Sequence, residues 1–175
     1  MVPNDNSRPT IERATADDVE AVADLWVRLA RDQRRHDSYV HADANRETMR
    51  DTLAAHQVND GLLVARDGET VVGFASFSLE RGSLELDATR GLLSNIYVAP
   101  GSRGQGLGTA LLEAAEDELE AQGAEVVVLE VMARNEAARR FYERKGYETY
   151  RVAMERDLEV EDDRSENDTP SKEDG

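Results

Sequence analysis

A glycine-rich turn between an apolar strand and an amphipathic helix constrains the fold of this chain more than any other feature. A strand is predicted over residues 92–98 and ends before Pro100. A helix is predicted over residues 106–122, because apolar residues recur on one face and Gly123 follows it. Glycines let a backbone approach a ligand closely, and free amides at a helix N-terminus bind phosphate oxygens. The segment therefore predicts a diphosphate site, to which Arg103 can add a cation.

Two other phosphate-binding motifs fit this turn poorly. A Walker loop requires Gly-Lys-Ser or Gly-Lys-Thr after its glycines, where this chain has Leu107-Gly108-Thr109. A dinucleotide fingerprint opens the first β-α unit of a domain, with an acidic residue about 20 positions later at the end of the next strand. Here other predicted strands come first, and Glu125 begins the next strand instead of ending it. A purely structural turn is the remaining alternative.

Periodicity along the rest of the chain predicts one mixed α/β domain. Thr15 caps a first helix, with Asp18 three positions later, and two β-rich runs meet at a hairpin turn around Gly68. Residues 125–131 form a nearly continuous apolar run, which predicts a strand buried on both faces. The other predicted elements are helices over residues 45–56 and 135–146 and strands over residues 62–66, 70–79 and 147–156.

Composition sets the predicted domain boundaries. Residues 1–9 are predicted to be a flexible arm and residues 10–156 a single folded domain. Residues 157–175 are rich in Asp and Glu and nearly free of apolar residues after Val160, which predicts an acidic disordered tail.

Charge is the strongest compositional signal. The formal net charge is −16, and only Lys145 and Lys172 among the 21 basic residues are lysines. A carboxylate-rich surface with little lysine retains water and hydrated cations at high salt, which indicates a halophilic cytoplasm. An ordinary acidic protein with an acidic tail is the alternative. In either case the negative field opposes binding to nucleic-acid phosphates.

Several other classes of protein are disfavoured. No apolar run reaches the roughly 18 residues that span a membrane, and residues 1–10 lack the apolar stretch of a secretory signal. The expected location is therefore cytoplasmic, without a membrane partner. The chain has no cysteine, and His36, His41 and His56 lack the spacing of zinc ligands. We expect no metal.

The turn resembles the coenzyme A motif of the GNAT acetyltransferases, in which Val-x-Pro ends a strand and Arg-x-x-Gly-x-Gly follows. The resemblance implies a GNAT fold, a mixed sheet with a splayed pair of parallel strands and about four flanking helices, and acetyl-CoA as the acetyl donor. It implies that the edge of the strand pairs with the pantetheine arm and that the amides of residues 104–109 hold the diphosphate. The implied cofactor-binding residues are Ile96, Tyr97, Val98, Arg103, Gly104, Gln105, Gly106, Leu107, Gly108 and Thr109.

A second segment, Asn135 to Tyr147, resembles the family's second cofactor-binding region, with an Asn-capped helix and a Phe-Tyr pair before Lys-Gly-Tyr. Asn135 is a good N-cap, and the resemblance implies that it also binds the pantetheine. The resemblance further implies that Tyr142 protonates the departing thiolate. Capping alone and packing alone are the respective alternatives, and Phe141 is most simply a core residue.

Glu130 is the candidate base for the acceptor amine. It lies in the apolar run before the second motif, where burial would raise its pKa. Its twelve-residue separation from Tyr142 is similar to that of the acid/base pair in ribosomal-protein alanine acetyltransferases. A solvated strand residue is the alternative, with Ser94 or Asn95 orienting a water molecule instead. The amide of Val98 is the expected oxyanion donor.

The sequence constrains the identity of the acetyl acceptor less than that of the acetyl donor. The leading hypothesis is a protein lysine or N-terminal amine, and the alternatives are a small amine (polyamine, amino acid or aminoglycoside) or a coenzyme A sensor without turnover. The stretch between the first two helices lines the acceptor groove in relatives. Here it contains Arg34, Arg35, Asp37 and Tyr39, which contact substrate or belong to a solvated loop. The chain can also form a homodimer, since relatives are frequently dimeric; the sequence leaves this question open.

Overall fold

The fold, described for residues 8–159, comes from a computed structural model. Its strands are β1 Thr10–Arg13, β2 Leu62–Asp67, β3 Thr70–Leu79, β4 Arg90–Val98 and β5 Val126–Leu129. Its α-helices are α1 Val19–Gln33, α2 Arg46–Val58, α3 Leu107–Ala121 and α4 Glu136–Arg144, and short 3₁₀ turns include Arg34–His36. The chain forms two compact units, one up to Arg139 and one from Arg140.

The first unit is built on a five-stranded sheet in the order β1-β2-β3-β4-β5. Strands β1 to β4 are antiparallel neighbours, whereas β4 and β5 are parallel and joined through α3. This is the mixed α/β sheet that the sequence predicted. None of the described helices is both long and apolar enough to cross a membrane.

Helices cover both faces of the sheet because side chains alternate along its strands. Val64 and Phe74 belong to one core cluster with the apolar stripes of α1 and α2. The opposite face carries small residues: a Cβ added at Gly73 would lie 3.3 Å from Leu111, and one added at Gly91 would lie 2.9 Å from Leu119. The absence of side chains at these glycines lets α3 pack closely on the sheet.

The predicted cap Thr15 begins a 3₁₀ turn, Ala16–Asp18, which leads into α1 at Val19, and a strand precedes both. Asp18 accepts hydrogen bonds from the backbone and hydroxyl of Thr15, which closes the predicted capping box. Strand β1, which the sequence analysis did not predict, pairs with β2 from Thr10↔Arg66 to Arg13↔Leu63. Four residues are too short for a periodic signal, and this strand depends on the neighbour with which it pairs. The predicted arm falls outside the described residues except for Arg8 and Pro9, and the predicted tail does so from residue 160.

Two strand predictions need correction. The predicted strand over residues 147–156 is wrong, because the described part of the chain after α4 contains no strand. Its apolar positions Tyr150, Val152 and Met154 are exposed to solvent, whereas strand-forming side chains gain their stability from burial and packing. Strand β5 is not buried on both faces, since Val126 is exposed and the rest of the strand is half-buried. It is the edge strand of the described sheet, with β4 as its partner.

Candidate active site

Strands β4 and β5 separate at a β-bulge. They pair only from Arg90↔Val126 to Leu93↔Leu129. On the other side of β4, Leu93 pairs with Phe77 and Asn95 with Ser76, so Ser94 is the additional residue of the bulge. A bulge bends its strand and increases its twist. The last five residues of β4 therefore extend past the end of β5, which agrees with the predicted splaying of the parallel pair.

The bulged half of β4 presents backbone groups towards the side that β5 has left. The amide of Ala99 donates to the carbonyl of Val72 over 2.8 Å, which identifies these residues as a hydrogen-bonded pair. Such pairs alternate with non-hydrogen-bonded pairs in an antiparallel ladder. The peptide groups of Ile96 and Val98 consequently point away from β3, whereas those of Tyr97 point towards it. The edge formed by Ile96 and Val98 can accept an extended ligand as an additional strand.

The turn after β4 has the conformation that its glycines predicted. Gly104 and Gly106 have φ values of +81° and +79°, and Gly106 is the N-cap of α3. A Cβ added at either position would meet nothing within 4 Å, and no side chain within the described residues caps the helix. The start of α3 is therefore an open cradle with amides available to an anion, and it fits a diphosphate. Leu107 is buried and anchors the helix, whereas Gln105 is exposed.

Arg103 lies against the strand edge beside this cradle. Its Nε donates to the carbonyl of Val98 over 2.9 Å, and its guanidinium lies 5.4 Å from the centroid of the Tyr97 ring. Its Nη2 is 3.8 Å from Oδ2 of Asp32, near the end of α1. Arg103, the residue predicted to place a cation beside the diphosphate, is thus held by the Val98 carbonyl, the Tyr97 ring and the Asp32 carboxylate.

A cleft of about 340 Å³ separates the end of α1 from the edge of β4. Asn135 lies in its wall, and its Oδ1 accepts a hydrogen bond from the amide of Ala138 over 3.1 Å. The predicted N-cap is therefore confirmed. The other lining residues come from α1, the following 3₁₀ turn and the β4 segment: Leu29, Asp32, Gln33, Arg35, His36, Ile96, Tyr97, Val98 and Arg103.

Asp32 and Gln33 also line the cleft, and neither was predicted from the sequence. A polar residue in the last turn of a helix carries no signal of its own, and only the packing of α1 beside β4 places both in the cleft. Among the residues predicted for the acceptor groove, Arg35 lines the cleft. By contrast, Asp37 pairs with Arg134 at 2.6 Å. In the described part of the chain, no cluster of His, Asp and Glu side chains could hold a metal ion.

Glu130 is exposed, which contradicts its predicted burial. It follows β5 directly, in a segment without secondary structure. The burial prediction assumed that the apolar run was an interior strand, whereas β5 lies at the edge of the described sheet and ends at Leu129. Apolar sequence alone does not distinguish these two positions.

Tyr142 belongs to the second unit, in the last turns of α4. Its ring makes edge-to-face contacts with Phe141 and Tyr147, at centroid distances of 5.2 and 5.7 Å. Burial raises the pKa of Tyr142 to about 12, because the phenolate would lose its hydration. The phenol therefore keeps its proton at neutral pH. Phe141, predicted to be a core residue, is half-buried.

An opened strand edge next to a glycine-rich helix start is the arrangement of a coenzyme A-dependent acetyltransferase. The Acetyltransferase (GNAT) family model matches residues 20–147, and the chain belongs to this family. It is an N-acetyltransferase with acetyl-CoA as its donor. The fold is confirmed by its likeness to the structure of the aminoglycoside N-acetyltransferase AAC(6')-Iy in complex with CoA. The TM-score is 0.68 at 19% identity, over 90% of this chain and 99% of the other.

Relatives of this chain act on different acceptors. N-alpha-acetyltransferase 30 of Schizosaccharomyces pombe is 34% identical over 98 residues, which cover 55% of this chain and 63% of the relative, less than two thirds of its length. Aminoalkylphosphonate N-acetyltransferase of Salmonella typhimurium is 30% identical over 140 residues, which cover 78% and 83% of the two chains. Ribosomal protein bS18-alanine N-acetyltransferase of Escherichia coli is 51% identical over 55 residues, covering 31% and 37%. The predicted similarity to ribosomal-protein alanine acetyltransferases is therefore confirmed for a part of the chain only.

Proposed function

We propose that this N-acetyltransferase acts on a primary amine of a protein, either a lysine side chain or an N-terminus. The observation that carries the proposal is the form of the acceptor side of the cleft. Its wall is the end of α1, and the loop that follows exposes Tyr39 and Val40 to solvent. In this proposal a polypeptide acceptor covers these two exposed side chains. The local identity to the bS18-alanine enzyme supports the same class of acceptor.

The donor is held by backbone groups. Acetyl-CoA supplies an acetyl group activated as a thioester. The amides of residues 104–109 bind its diphosphate, and their support is the open cradle at the start of α3. The peptide groups of Ile96 and the carbonyl of Val98 bind the pantetheine arm, together with the side chain of Asn135. The Val98 amide donates to the oxygen that becomes negative during transfer.

Two side chains move protons. Tyr142 donates its phenolic proton to the departing thiolate, and the phenol carries that proton at neutral pH because burial disfavours the phenolate. Glu130 accepts a proton from the acceptor ammonium through water. Its exposed position directly after β5 fits a relay through solvent.

A panel of acceptors tests the proposed function. Thiol release from acetyl-CoA is measured with N-terminal peptides, lysine peptides, polyamines, aminoglycosides and aminoalkylphosphonates, and mass spectrometry locates the acetyl group. Peptides are expected to give the highest kcat/KM. Transfer to small amines alone contradicts the protein acceptor and favours the alternative, which the aminoalkylphosphonate relative supports. Tight CoA binding without release for any amine favours a sensor.

Glu130→Gln tests the base. The variant is expected to lower kcat about 100-fold, as expected for loss of a general base, while CoA affinity is unchanged. Glu120→Gln removes the same charge from an exposed position on α3 and serves as the control. Equal kcat values for the two variants would exclude Glu130 as the base.

The charge of the chain supports a cytoplasmic protein adapted to high salt. The chain has 37 acidic and 21 basic residues. The excess carboxylates repel one another, and added salt screens this repulsion. Because a carboxylate-rich surface also retains hydrated cations at high salt, the thermal midpoint is expected to rise continuously from 0.1 M to roughly 2 M KCl, beyond the range in which screening acts. A midpoint that does not change above about 0.3 M KCl, where exposed charges are already well screened, contradicts this adaptation. Sedimentation in the same buffers determines whether a homodimer forms.

A further inference from the structure

One carboxylate lines the cleft of the described structure, and it belongs to Asp32. Its side chain is 37% exposed, so solvent and ligands can reach it. Its Oδ1 accepts a hydrogen bond from Nη2 of Arg35 at 2.8 Å, and its Oδ2 lies 3.8 Å from Nη2 of Arg103. Two guanidinium groups therefore share this carboxylate, Arg35 at its Oδ1 and Arg103, at the longer distance, at its Oδ2.

Arg103 covers this carboxylate and the strand edge at the same time. Its Nε donates to the carbonyl of Val98, on the β4 edge, while its Nη2 approaches Asp32. The proposed pantetheine site uses that same Val98 carbonyl. An N–H of the pantetheine and the Nε–H of Arg103 cannot both donate to the Val98 carbonyl oxygen from the same direction.

The diphosphate cradle offers Arg103 another partner. Arg103 directly precedes Gly104, where the open turn begins, and a diphosphate carries more negative charge than one carboxylate. Exposed ion pairs such as that of Arg103 and Asp32 contribute little stability, so their exchange is easy. A diphosphate in the cradle therefore competes with Asp32 for the guanidinium.

We propose that Asp32 binds the ammonium group of the acceptor, and that Arg103 covers Asp32 until acetyl-CoA binds. The inference rests on the proposed function, because an acceptor amine must enter the cleft. It identifies the acceptor side of the cleft as selective for a cationic amine. Donor binding removes Arg103 from both the Val98 carbonyl and Asp32. By linkage, the donor and an ammonium then strengthen each other's binding.

The affinity of a simple ammonium tests this coupling without turnover. Butylamine is titrated by NMR in the presence and absence of saturating CoA, and CoA binding is measured separately by calorimetry. In the wild type, CoA is expected to tighten butylamine binding about fivefold or more, the lower end of typical coupling between sites. An equal affinity for butylamine with and without CoA overturns the proposal.

Two variants separate the roles of the pair. Asp32→Asn is expected to weaken butylamine binding about three- to fivefold in the presence of CoA, the upper end of what a partly exposed ion pair contributes, and to leave CoA affinity within about twofold. Arg103→Gln is expected to bind butylamine without CoA as tightly as the wild type does with CoA, while CoA itself binds more weakly. A variant that only damages the fold does not gain affinity for an amine.

Asp43→Asn is the matched control. Asp43 is an exposed carboxylate paired with Arg31 of α1, and it does not line the cleft. It is expected to bind butylamine as the wild type does. If Asp32→Asn and Asp43→Asn behave alike, Asp32 is not the ammonium site.

Failure of this inference is distinguishable from failure of the proposed function. Unchanged acceptor KM in Asp32→Asn, with thiol release intact, overturns the role of Asp32 and leaves acetyl transfer standing. Absence of thiol release in the wild type contradicts the proposed function, whereas the butylamine titration still tests Asp32 directly.

Discussion

The side-chain amide of Asn95 donates a hydrogen bond to the hydroxyl of Ser76 over 2.9 Å, immediately after the bulge at Ser94. Ser76 is fully buried, so this bond crosses from the interior of β3 to the strand that leaves β5. It ties the bulged segment to the rigid part of the sheet. The edge formed by Ile96 and Val98 follows directly.

Ser76→Ala is expected to lower the free energy of unfolding by about 1 kcal/mol, because the half-buried amide of Asn95 loses its acceptor. CoA is also expected to bind more weakly, since the bulge loses its support. Urea unfolding and calorimetry measure the two effects. Ser78→Ala, on the same strand, is the control, and equal stability of the two variants would show that the bond to Asn95 contributes nothing.

Gly106→Ala is expected to destabilise the protein by about 1 kcal/mol and to weaken CoA binding. The φ of +79° at Gly106 lies in the left-handed region, which an L side chain adopts at that cost. A shift of the backbone to relieve it redirects the amides at the start of α3. Calorimetry with CoA and thermal unfolding measure both effects.

Gly101→Ala is the matched control for that change. A Cβ at Gly101 meets nothing within 4 Å, and its φ is not in the left-handed region. This variant is expected to behave as the wild type. Normal CoA affinity in Gly106→Ala would contradict a diphosphate site at this turn.

Tyr142→Phe is expected to lower kcat about 100-fold with little change in CoA affinity, because the thiolate loses its proton donor. Burial raises the pKa of Tyr142 to about 12, so the difference in phenolate absorbance between wild type and variant is expected to titrate near pH 12. Tyr150→Phe removes an exposed phenol and is the control. A normal kcat in Tyr142→Phe would exclude the tyrosine as the acid.

The raised pKa of Tyr142 also makes the free energy of unfolding depend on pH. The ordinary pKa of tyrosine is about 10, so between about pH 10 and pH 12 the unfolded chain loses this proton while the folded chain keeps it. The Tyr142 contribution to the free energy of unfolding therefore falls as the pH rises through this range. Urea unfolding of wild type and Tyr142→Phe at pH 9 and pH 11 measures the difference.

Asp18→Asn is expected to destabilise the protein by about 1 to 2 kcal/mol at pH 7. Burial alone would raise the pKa of Asp18, but hydrogen bonds from Arg66 and Thr15 outweigh it and hold the pKa below its ordinary value. The carboxylate therefore contributes stability above its unfolded pKa, near 4, and loses it as the pH falls through the lower folded value.

Urea unfolding of Asp18→Asn at pH 7 and at pH 3 measures this contribution. The difference in the free energy of unfolding between wild type and Asp18→Asn is expected to be smaller at pH 3 than at pH 7. Asp17→Asn, at the exposed neighbouring position, is the control. A difference that grows on acidification contradicts the lowered pKa.

The sequence by itself determined the local elements and the motif between them. Strand β3 and the starts of α1 and α3 follow from side-chain periodicity, capping residues and glycines, which act within a few positions along the chain. The diphosphate cradle could be predicted for the same reason, because positive φ at Gly104 and Gly106 is a property of those residues.

Tertiary structure alone decided which strands have neighbours and which side chains meet. The alternation around Val152 did not yield a strand, and β1 formed from four residues because β2 lies beside it. Glu130 is exposed because β5 lies at the edge of the described sheet, a position that its apolar sequence does not encode. Asp32 and Arg103, 71 positions apart, meet through the packing of α1 beside β4. Burial, and pairing between strands that no short turn joins, depend on residues distant in sequence, so no local pattern specifies them.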